Sequence, residues 1–185
     1  MKKNQSGFTL VEIAIVMVII GLLIGGVLKG QEMIKNAKTK RIMSDADGLR
    51  AAVASYQDRY VQLPGDDTQN PAHGCTGCTA GNGNGQIELA EAPDVFQHLR
   101  LAGIISGAGL TLPKNSYGGT YQVYWQALGA GANLINAHWL EYTNIPAEVA
   151  QSIDITNDDG AQATGSVRGS AAYTAGTVIT LYVQF

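Results

Sequence analysis

An apolar run of 21 residues, Phe8–Leu28, constrains the fold of this chain more than any other feature of its sequence. As an α-helix rising about 1.5 Å per residue, the run is about 31 Å long, which matches the hydrocarbon core of a bilayer. It contains one charged residue, Glu12. We therefore predict a single membrane-spanning helix. Glu12 is a candidate functional residue, because an ionised group inside a membrane segment is costly and usually serves a purpose.

The rest of the chain has the composition of a water-soluble protein, with many Gly, Asn, Thr and Asp residues after Lys29. The formal net charge of −3 argues against nucleic-acid binding, which needs a basic surface. Lys2 and Lys3 precede the apolar run and place the N-terminus in the cytoplasm by the positive-inside rule. Basic residues that follow the run, from Lys29 to Arg41, weaken that asymmetry.

The order of residues at the N-terminus differs from that of a secretory signal peptide. In a secretory signal the small residues of the cleavage site follow the apolar core. Here Ser6 and Gly7 precede it, and no Ala-x-Ala site follows it. We therefore expect the apolar run to remain in the mature protein.

Lys2-Lys3, together with Gly7 and the following Phe8-Thr9-Leu10-Val11-Glu12, resembles the type III signal of type IV prepilins and type II secretion pseudopilins. The resemblance implies that a membrane peptidase removes residues 1–7 by cutting after Gly7 and then methylates the new amine of Phe8. It also suggests a role for Glu12. A buried carboxylate is tolerated when it is paired, so Glu12 would neutralise the Phe8 amine of a neighbouring subunit. The alternative is an interfacial Glu12 that reaches the lipid headgroups.

By this resemblance the protein is a structural subunit of a type IV pilus or similar filament, which polymerises through its N-terminal helix, and it is not an enzyme. It would cross the bacterial inner membrane once before assembly, with its N-terminus in the cytoplasm, and lie in an extracytoplasmic filament afterwards. The implied partners are the prepilin peptidase and methyltransferase, the inner-membrane assembly machinery and further copies of the chain. The alternatives are a type II secretion pseudopilin, a monomeric membrane-anchored binding module and an anchored thiol oxidoreductase.

Residues 29–63 are predicted to continue the membrane segment, residues 8–28, as the amphipathic half of one helix. No proline interrupts it before Leu63. Apolar residues recur at steps of three and four: Ile42, Ala46, Leu49, Val53, Tyr56 and Tyr60. This stripe favours packing on the chain's own soluble domain over an intermolecular coiled coil. Four glycines in the first half, at 21, 25, 26 and 30, indicate either close packing in a filament or the ordinary glycine content of membrane helices.

Residues 64–185 are predicted to form an extracytoplasmic α+β domain. A glycine-rich loop extends to about residue 92, and a short helix begins at Pro93. β-branched and aromatic residues predict strands over 120–128 and 177–185, and Ile145-Pro146 predicts the start of a helix that ends near Ile153. We expect a small antiparallel sheet, with the C-terminal strand inside it, packed on the long helix. The resemblance implies the same pilin-like architecture.

Cys75 and Cys78 form the sequence CTGC. Attachment of c-type haem is excluded because Thr79, and not histidine, follows the second cysteine. A zinc site needs four ligands, and His73 could supply only a third, with His98 and His138 isolated in the sequence. A thioredoxin-like motif would begin a helix, whereas this one lies in a loop. We predict a disulfide that staples the loop, since the domain lies outside the cytoplasm.

Asp154–Gly160 (DITNDDG) carries carboxylates beside a glycine, as calcium-binding loops do. Asp154, Asp158 and Asp159 are therefore weak metal candidates. The EF-hand spacing and its bidentate glutamate are missing, so an Asp-Gly turn is favoured and no cofactor is predicted. The sequence also has no Ser-His-Asp order, phosphate-binding loop or HExxH motif, which agrees with a non-enzymatic protein.

Overall fold

The computed structural model describes residues 9–79 and 81–185. It divides into two compact units, Met1–Lys38 and Thr39–Phe185. The helices are α1 (Leu10–Tyr60), α2 (Ala92–Leu101), α3 (Ala147–Asn157) and a 3₁₀ turn at Gly131–Asn133, and the strands are β1 (Tyr121–Leu128), β2 (Ile135–Pro146), β3 (Val167–Gly169) and β4 (Val178–Gln184). This is the α+β class that the sequence predicts.

Helix α1 is continuous over 51 residues, as expected for a segment without proline. It ends at Tyr60 and not at Leu63, where the sequence placed its end. The reason lies in the next residue, because Val61 has φ of 56°, in the left-handed region. A residue in that conformation terminates the helical hydrogen-bond pattern in the manner of a C-terminal cap.

The second half of α1 packs on the chain's own domain, as predicted. Five of the six stripe residues are buried and Tyr60 is half-buried. Ala52, which the stripe did not include, is buried as well. Because this face is covered by the domain's own core, it is not available as a coiled-coil seam.

The four strands form one antiparallel sheet in the order β1-β2-β4-β3. The two strands predicted from β-branched and aromatic residues, β1 and β4, are confirmed, and β4 lies inside the sheet. Strands β2 and β3 were not predicted. In β2, Asn, His and Glu interrupt the apolar pattern, and the register shifts between Tyr142 and Ile145, where Asn144 has φ of 61°.

Helix α2 begins with Ala92 and has Pro93 in its first turn, close to the predicted start. Helix α3 differs from the prediction, because Ile145 and Pro146 are the last residues of β2 and the helix runs from Ala147 to Asn157. Pro146 has φ of −57°, which suits the end of a strand as well as the start of a helix. Pairing with β4 at Ile179 and Val178 decides between the two.

The core lies between α1 and one face of the sheet. Val123, Leu140 and Leu181 are fully buried on that face. Tyr142 is also fully buried, and its hydroxyl donates a hydrogen bond to the Ile42 carbonyl at 3.0 Å. This contact satisfies the one polar atom of a buried tyrosine and ties the helix to the sheet.

Candidate functional site

The first turn of α1 is closed by a reciprocal capping box. The backbone N–H and the hydroxyl of Thr9 both donate to Oε2 of Glu12, at 2.8 and 2.7 Å, and the Glu12 N–H donates to the Thr9 hydroxyl oxygen at 3.3 Å. This is the S/T-x-x-E arrangement that satisfies backbone donors at a helix start. This role of Glu12 was not predicted, although Thr9, three residues before it, is the sequence signal of a capping box.

The cap uses only one oxygen of the Glu12 carboxylate. Oε1 of Glu12 has no hydrogen-bond partner within residues 9–79 and 81–185. One oxygen of the carboxylate is therefore left without a partner among the described residues. Gly7 and Phe8, the predicted processing residues, lie outside the described residues, so the predicted pairing with Phe8 stays a prediction.

The apolar half of α1 is exposed around its whole circumference. Its large side chains between Leu10 and Leu28 are exposed by 44% to 86%, and none of its 18-residue apolar window, with a mean hydropathy of 2.8, is buried. By length and composition this segment can cross a membrane. Water is a poor solvent for such a surface, so lipid or other protein chains must cover it.

The four glycines at 21, 25, 26 and 30 have no close neighbour among the described residues apart from the backbone of their own helix. A Cβ placed on Gly21, Gly25, Gly26 or Gly30 would meet nothing within 4 Å. Glycine in a helix interior costs roughly 1 kcal/mol relative to alanine. Within residues 9–79 and 81–185, no side-chain contact at these glycines offsets this cost.

The loop between α1 and α2 is held by buried polar groups. Asp67 is fully buried and accepts hydrogen bonds from the Tyr56 hydroxyl at 2.6 Å, the Gln69 N–H and the His73 ring. Burial raises the pKa of Asp67, but the hydrogen bonds from Tyr56 and His73 outweigh it and hold that pKa below its ordinary value. The neighbouring Asp66 accepts the N–H groups of Gly83 and Gly85.

Two histidines hold the ends of the same loop. Nδ1 of His98 accepts the Gly65 N–H at 2.8 Å, and Nε2 of His138 accepts the Ile87 N–H at 2.9 Å. Burial lowers the pKa of both rings, which keeps these nitrogens unprotonated and able to accept. Both histidines therefore have structural roles that sequence spacing did not reveal.

Cys75 and Cys78 are joined in a disulfide, as predicted. The fold also brings the His98 ring to them, with one ring nitrogen within 4.8 Å of both sulfurs, which corrects the view of His98 as isolated. The three residues nevertheless make a poor metal site. Nδ1 of His98 already accepts a hydrogen bond, so Nε2 carries the proton of the neutral ring, and both sulfurs are bonded to each other.

The acidic loop 154–160 brings its three carboxylates within 4.8 Å of one another. Most of their oxygens are occupied by hydrogen bonds of the loop itself. Asp154 accepts from the Gly160 N–H and the Tyr173 hydroxyl, Asp158 from the Ser166 and Val167 N–H groups, and Asp159 from the Ala161 N–H and the Thr164 hydroxyl. The cluster thus organises the turn that precedes β3, as the Asp-Gly interpretation expects.

Comparison with known proteins adds information at the N-terminus. No curated protein and no solved structure matches the chain. The family model described as the prokaryotic N-terminal methylation motif matches residues 2–28, which include Gly7, Phe8 and Glu12. Residues 2–28 of the chain therefore carry the prokaryotic N-terminal methylation motif, which is consistent with the signal of type IV prepilins and pseudopilins.

Proposed function

We propose that this chain is the precursor of a structural subunit of a type IV pilus or pilus-like filament. It is cut after Gly7, methylated on the amine of Phe8 and polymerised through the apolar half of α1. The observation that carries the proposal is the methylation motif at residues 2–28, which runs directly into a helix exposed on every side. In this proposal α1 supplies the assembly surface, and residues 64–185 form the extracytoplasmic domain.

The energetics favour two successive environments for the apolar segment. Covering its fourteen large exposed side chains yields on the order of 20 kcal/mol or more, at about 1.5–3 kcal/mol for each. The Glu12 carboxylate costs roughly 2.5–3.5 kcal/mol in a membrane on insertion scales. The carboxylate therefore cannot prevent insertion, which supports a membrane-anchored precursor. Lys2 and Lys3 before the apolar run favour a cytoplasmic N-terminus. Neighbouring helices replace the lipid after assembly.

The proposed role of Glu12 follows from its two oxygens. Oε2 caps its own helix through Thr9, whereas Oε1 has no partner in the part of the chain that the structure describes. In an apolar bundle a free carboxylate oxygen needs a cation, and cleavage after Gly7 creates one at the Phe8 amine. Pairing with the amine of a neighbour fixes the axial register between subunits.

The proposal names the partners by function. A prepilin peptidase and methyltransferase processes the N-terminus, inner-membrane assembly machinery inserts the subunit, and other copies of the chain cover the apolar helix. A type II secretion pseudopilin would use the same signal and the same helix. Imaging of sheared surface filaments, with identification of their main polypeptide by mass, separates a pilus from a secretion pseudopilus.

The processing step is tested by mass spectrometry of the chain recovered from membranes. The expected N-terminal peptide begins at a Phe8 that carries one additional methyl group. Gly7→Ala should block cleavage, whereas the matched variant Ser6→Ala should be processed normally. A chain that retains Met1 in wild type, or one cut after Leu28, would contradict the proposal.

The assembly step is tested by three variants that separate the charge of Glu12 from its capping role. Glu12→Gln keeps an acceptor for the Thr9 cap but loses the charge, and Thr9→Ala loses the cap but keeps the charge. Glu12→Val loses both. We expect filament yield to fall strongly for Glu12→Val, to an intermediate level for Glu12→Gln and little for Thr9→Ala, while the amount of each Glu12 variant in the membrane is retained.

The control is Glu32→Gln, which removes an exposed carboxylate paired with Lys29 beyond the apolar run. It should assemble as wild type does. Equal filament yields for Glu12→Gln and wild type would reject the pairing. A strong loss in Thr9→Ala with none in Glu12→Gln would assign Glu12 to the helix cap alone.

A further inference from the structure

A groove of about 290 Å³ lies on the face of the sheet that points away from the core. Arg168 of β3 pairs with Tyr182 of β4, and both alternate with the core residues Val167 and Val183. We call this the sheet groove, and its lining includes Leu128, Gln162, Ala163, Arg168, Ser170 and Tyr182. None of its lining residues belongs to α1.

The guanidinium of Arg168 forms the base of the sheet groove. The residue is only 3% exposed. Its Nε donates to the Gly165 carbonyl at 2.9 Å, and its Nη1 donates to the carbonyls of Leu128 at 2.6 Å and Asn133 at 2.8 Å. The guanidinium also lies 5.3 Å from the centre of the Trp139 ring, at cation–π distance. These contacts fix its position and join the β1–β2 connection to β3.

The charge of Arg168 has no counter-ion in the residues that the structure describes. No carboxylate lies within ion-pair distance of it in residues 9–79 and 81–185. The pKa of Asp159 is lowered mainly by its hydrogen bonds from Thr164 and Ala161, and to a smaller extent by the charge of Arg168. Both oxygens of that carboxylate thus accept hydrogen bonds within their own loop. Nη2 of Arg168 donates to no described residue. A buried cation is costly when unpaired, so this site favours an anion.

The remaining lining suits hydroxyl groups. The Ser170 oxygen accepts the Thr180 N–H, which leaves the Ser170 hydroxyl proton for another acceptor. The Gln162 side-chain nitrogen donates to the Gly169 carbonyl, so its Oε1 is left to accept. The ring of Tyr182 is partly exposed beside them and offers an apolar face of the kind on which sugar rings lie.

We propose that the sheet groove binds the carboxylate of a small hydroxylated acid that has a sugar ring, namely a hexuronic acid. Nη2 of Arg168 donates to the carboxylate, Ser170 and Gln162 bind ring hydroxyls, and the ring lies against Tyr182. With Nε and Nη1 occupied by carbonyls, Nη2 supplies the remaining N–H donors, and a charge-assisted hydrogen bond from a guanidinium to a carboxylate is stronger than a neutral one. The groove has the volume of a site for one ring-sized ligand.

The test leaves Arg168 in place, because its three carbonyl contacts hold the fold together. Ala163 is exposed and lines the groove, so a new side chain there removes no packing. Ala163→Asp adds a like charge near the bound carboxylate and Ala163→Lys adds an opposite one. Ala161→Asp is the matched control, since Ala161 is exposed in the same loop but does not line the groove.

The full-length chain in a non-ionic detergent is titrated with glucuronate, glucose and phosphate by isothermal calorimetry and ligand-observed NMR. We expect wild type to bind glucuronate with a dissociation constant near the millimolar range, and to bind neither glucose nor phosphate comparably. Ala163→Asp should weaken glucuronate binding about tenfold and Ala163→Lys should tighten it by a similar factor, from the Coulomb energy of charges a few ångströms apart in a half-exposed site. Ala161→Asp should stay within about twofold of wild type, because a screened surface charge has little effect.

Three outcomes would overturn the proposal. The first is no detectable glucuronate binding in wild type. The second is equal binding of phosphate and glucuronate, which would indicate a general anion contact without recognition of the hydroxyls. The third is an identical response of Ala163→Asp and Ala161→Asp, which would place any binding outside the sheet groove.

Discussion

Replacing Tyr56 by phenylalanine tests the polar cluster that holds the loop after α1. Tyr56 and Asp67 are both fully buried, and the hydroxyl lies 2.6 Å from Oδ2 of the carboxylate. The change removes one hydrogen bond to a charged, buried acceptor and leaves the ring packed. Such a bond contributes about 1.5–3 kcal/mol, so we expect the free energy of unfolding to fall by that amount. In a unit of this size each kcal/mol lowers the melting temperature by about 2–4 °C.

The pH dependence of this loss provides a second signature. Hydrogen bonds hold the pKa of Asp67 below its ordinary value, so the stability that the charged carboxylate contributes is present above the unfolded pKa and is lost as pH falls through the folded one. Tyr56→Phe weakens this stabilisation of the carboxylate. We therefore expect the difference from wild type to be largest near neutral pH and to shrink below about pH 4, near the ordinary pKa of an aspartate.

The assay is denaturant unfolding of the full chain in non-ionic detergent, followed by tryptophan fluorescence, because both tryptophans lie in the sheet. The matched control is Tyr60→Phe, one turn along the helix, whose hydroxyl makes no hydrogen bond to a described residue. It should change stability by less than about 0.5 kcal/mol. Equal losses for the two variants, or a loss at Tyr56 that does not change with pH, would refute the reasoning.

Three further predictions concern the same soluble unit. His98 and His138 accept backbone N–H groups as neutral rings, and burial lowers the pKa of both. The unfolded chain therefore binds more protons than the folded one, and the free energy of unfolding should decline as pH falls below about 6.5. His138→Gln keeps an acceptor and should reduce this decline in unfolding curves at pH 7.5 and 5.5. Changing Cys75 and Cys78 together to serine should cost about 2 kcal/mol, as expected for a short closed loop, while adding a reductant to that variant should have no further effect on its melting temperature. Asp158→Ala should lower the free energy of unfolding by about 2–3 kcal/mol, because two N–H groups lose a charged acceptor. Adding calcium or EDTA should leave the wild-type melting temperature unchanged, since hydrogen bonds already occupy most carboxylate oxygens of the acidic loop.

Local sequence determined most of the helical structure. The uninterrupted run from Leu10 to Tyr60, its change from an all-apolar half to a striped half, and the short helix after Glu91 all follow from composition and periodicity, which act over a few residues. The same is true of β1 and β4, whose β-branched and aromatic content is high. The N-terminal motif was equally legible, because the peptidase signal is itself a short linear pattern.

Strand β2 was decided by tertiary contacts. Strand β2 carries many polar residues, at its exposed and half-buried positions, and it forms because β1 and β4 supply its hydrogen bonds on both sides. Its last two residues, Ile145 and Pro146, suggested a helix start until they were paired with β4. Pairing energy of this kind depends on residues more than thirty positions away, which no local window contains.

The polar sites also divide into those that local sequence predicts and those that only the tertiary structure creates. Sequence singled out Glu12 and paired the cysteines, because a charge in an apolar run and a Cys-x-x-Cys spacing are local. It could not bring His98 to the disulfide, Tyr56 to Asp67 or Arg168 to the carbonyls of Leu128 and Asn133. Each of those contacts exists because burial removes water from a polar group, and the group must then take whichever partner the folded chain places beside it.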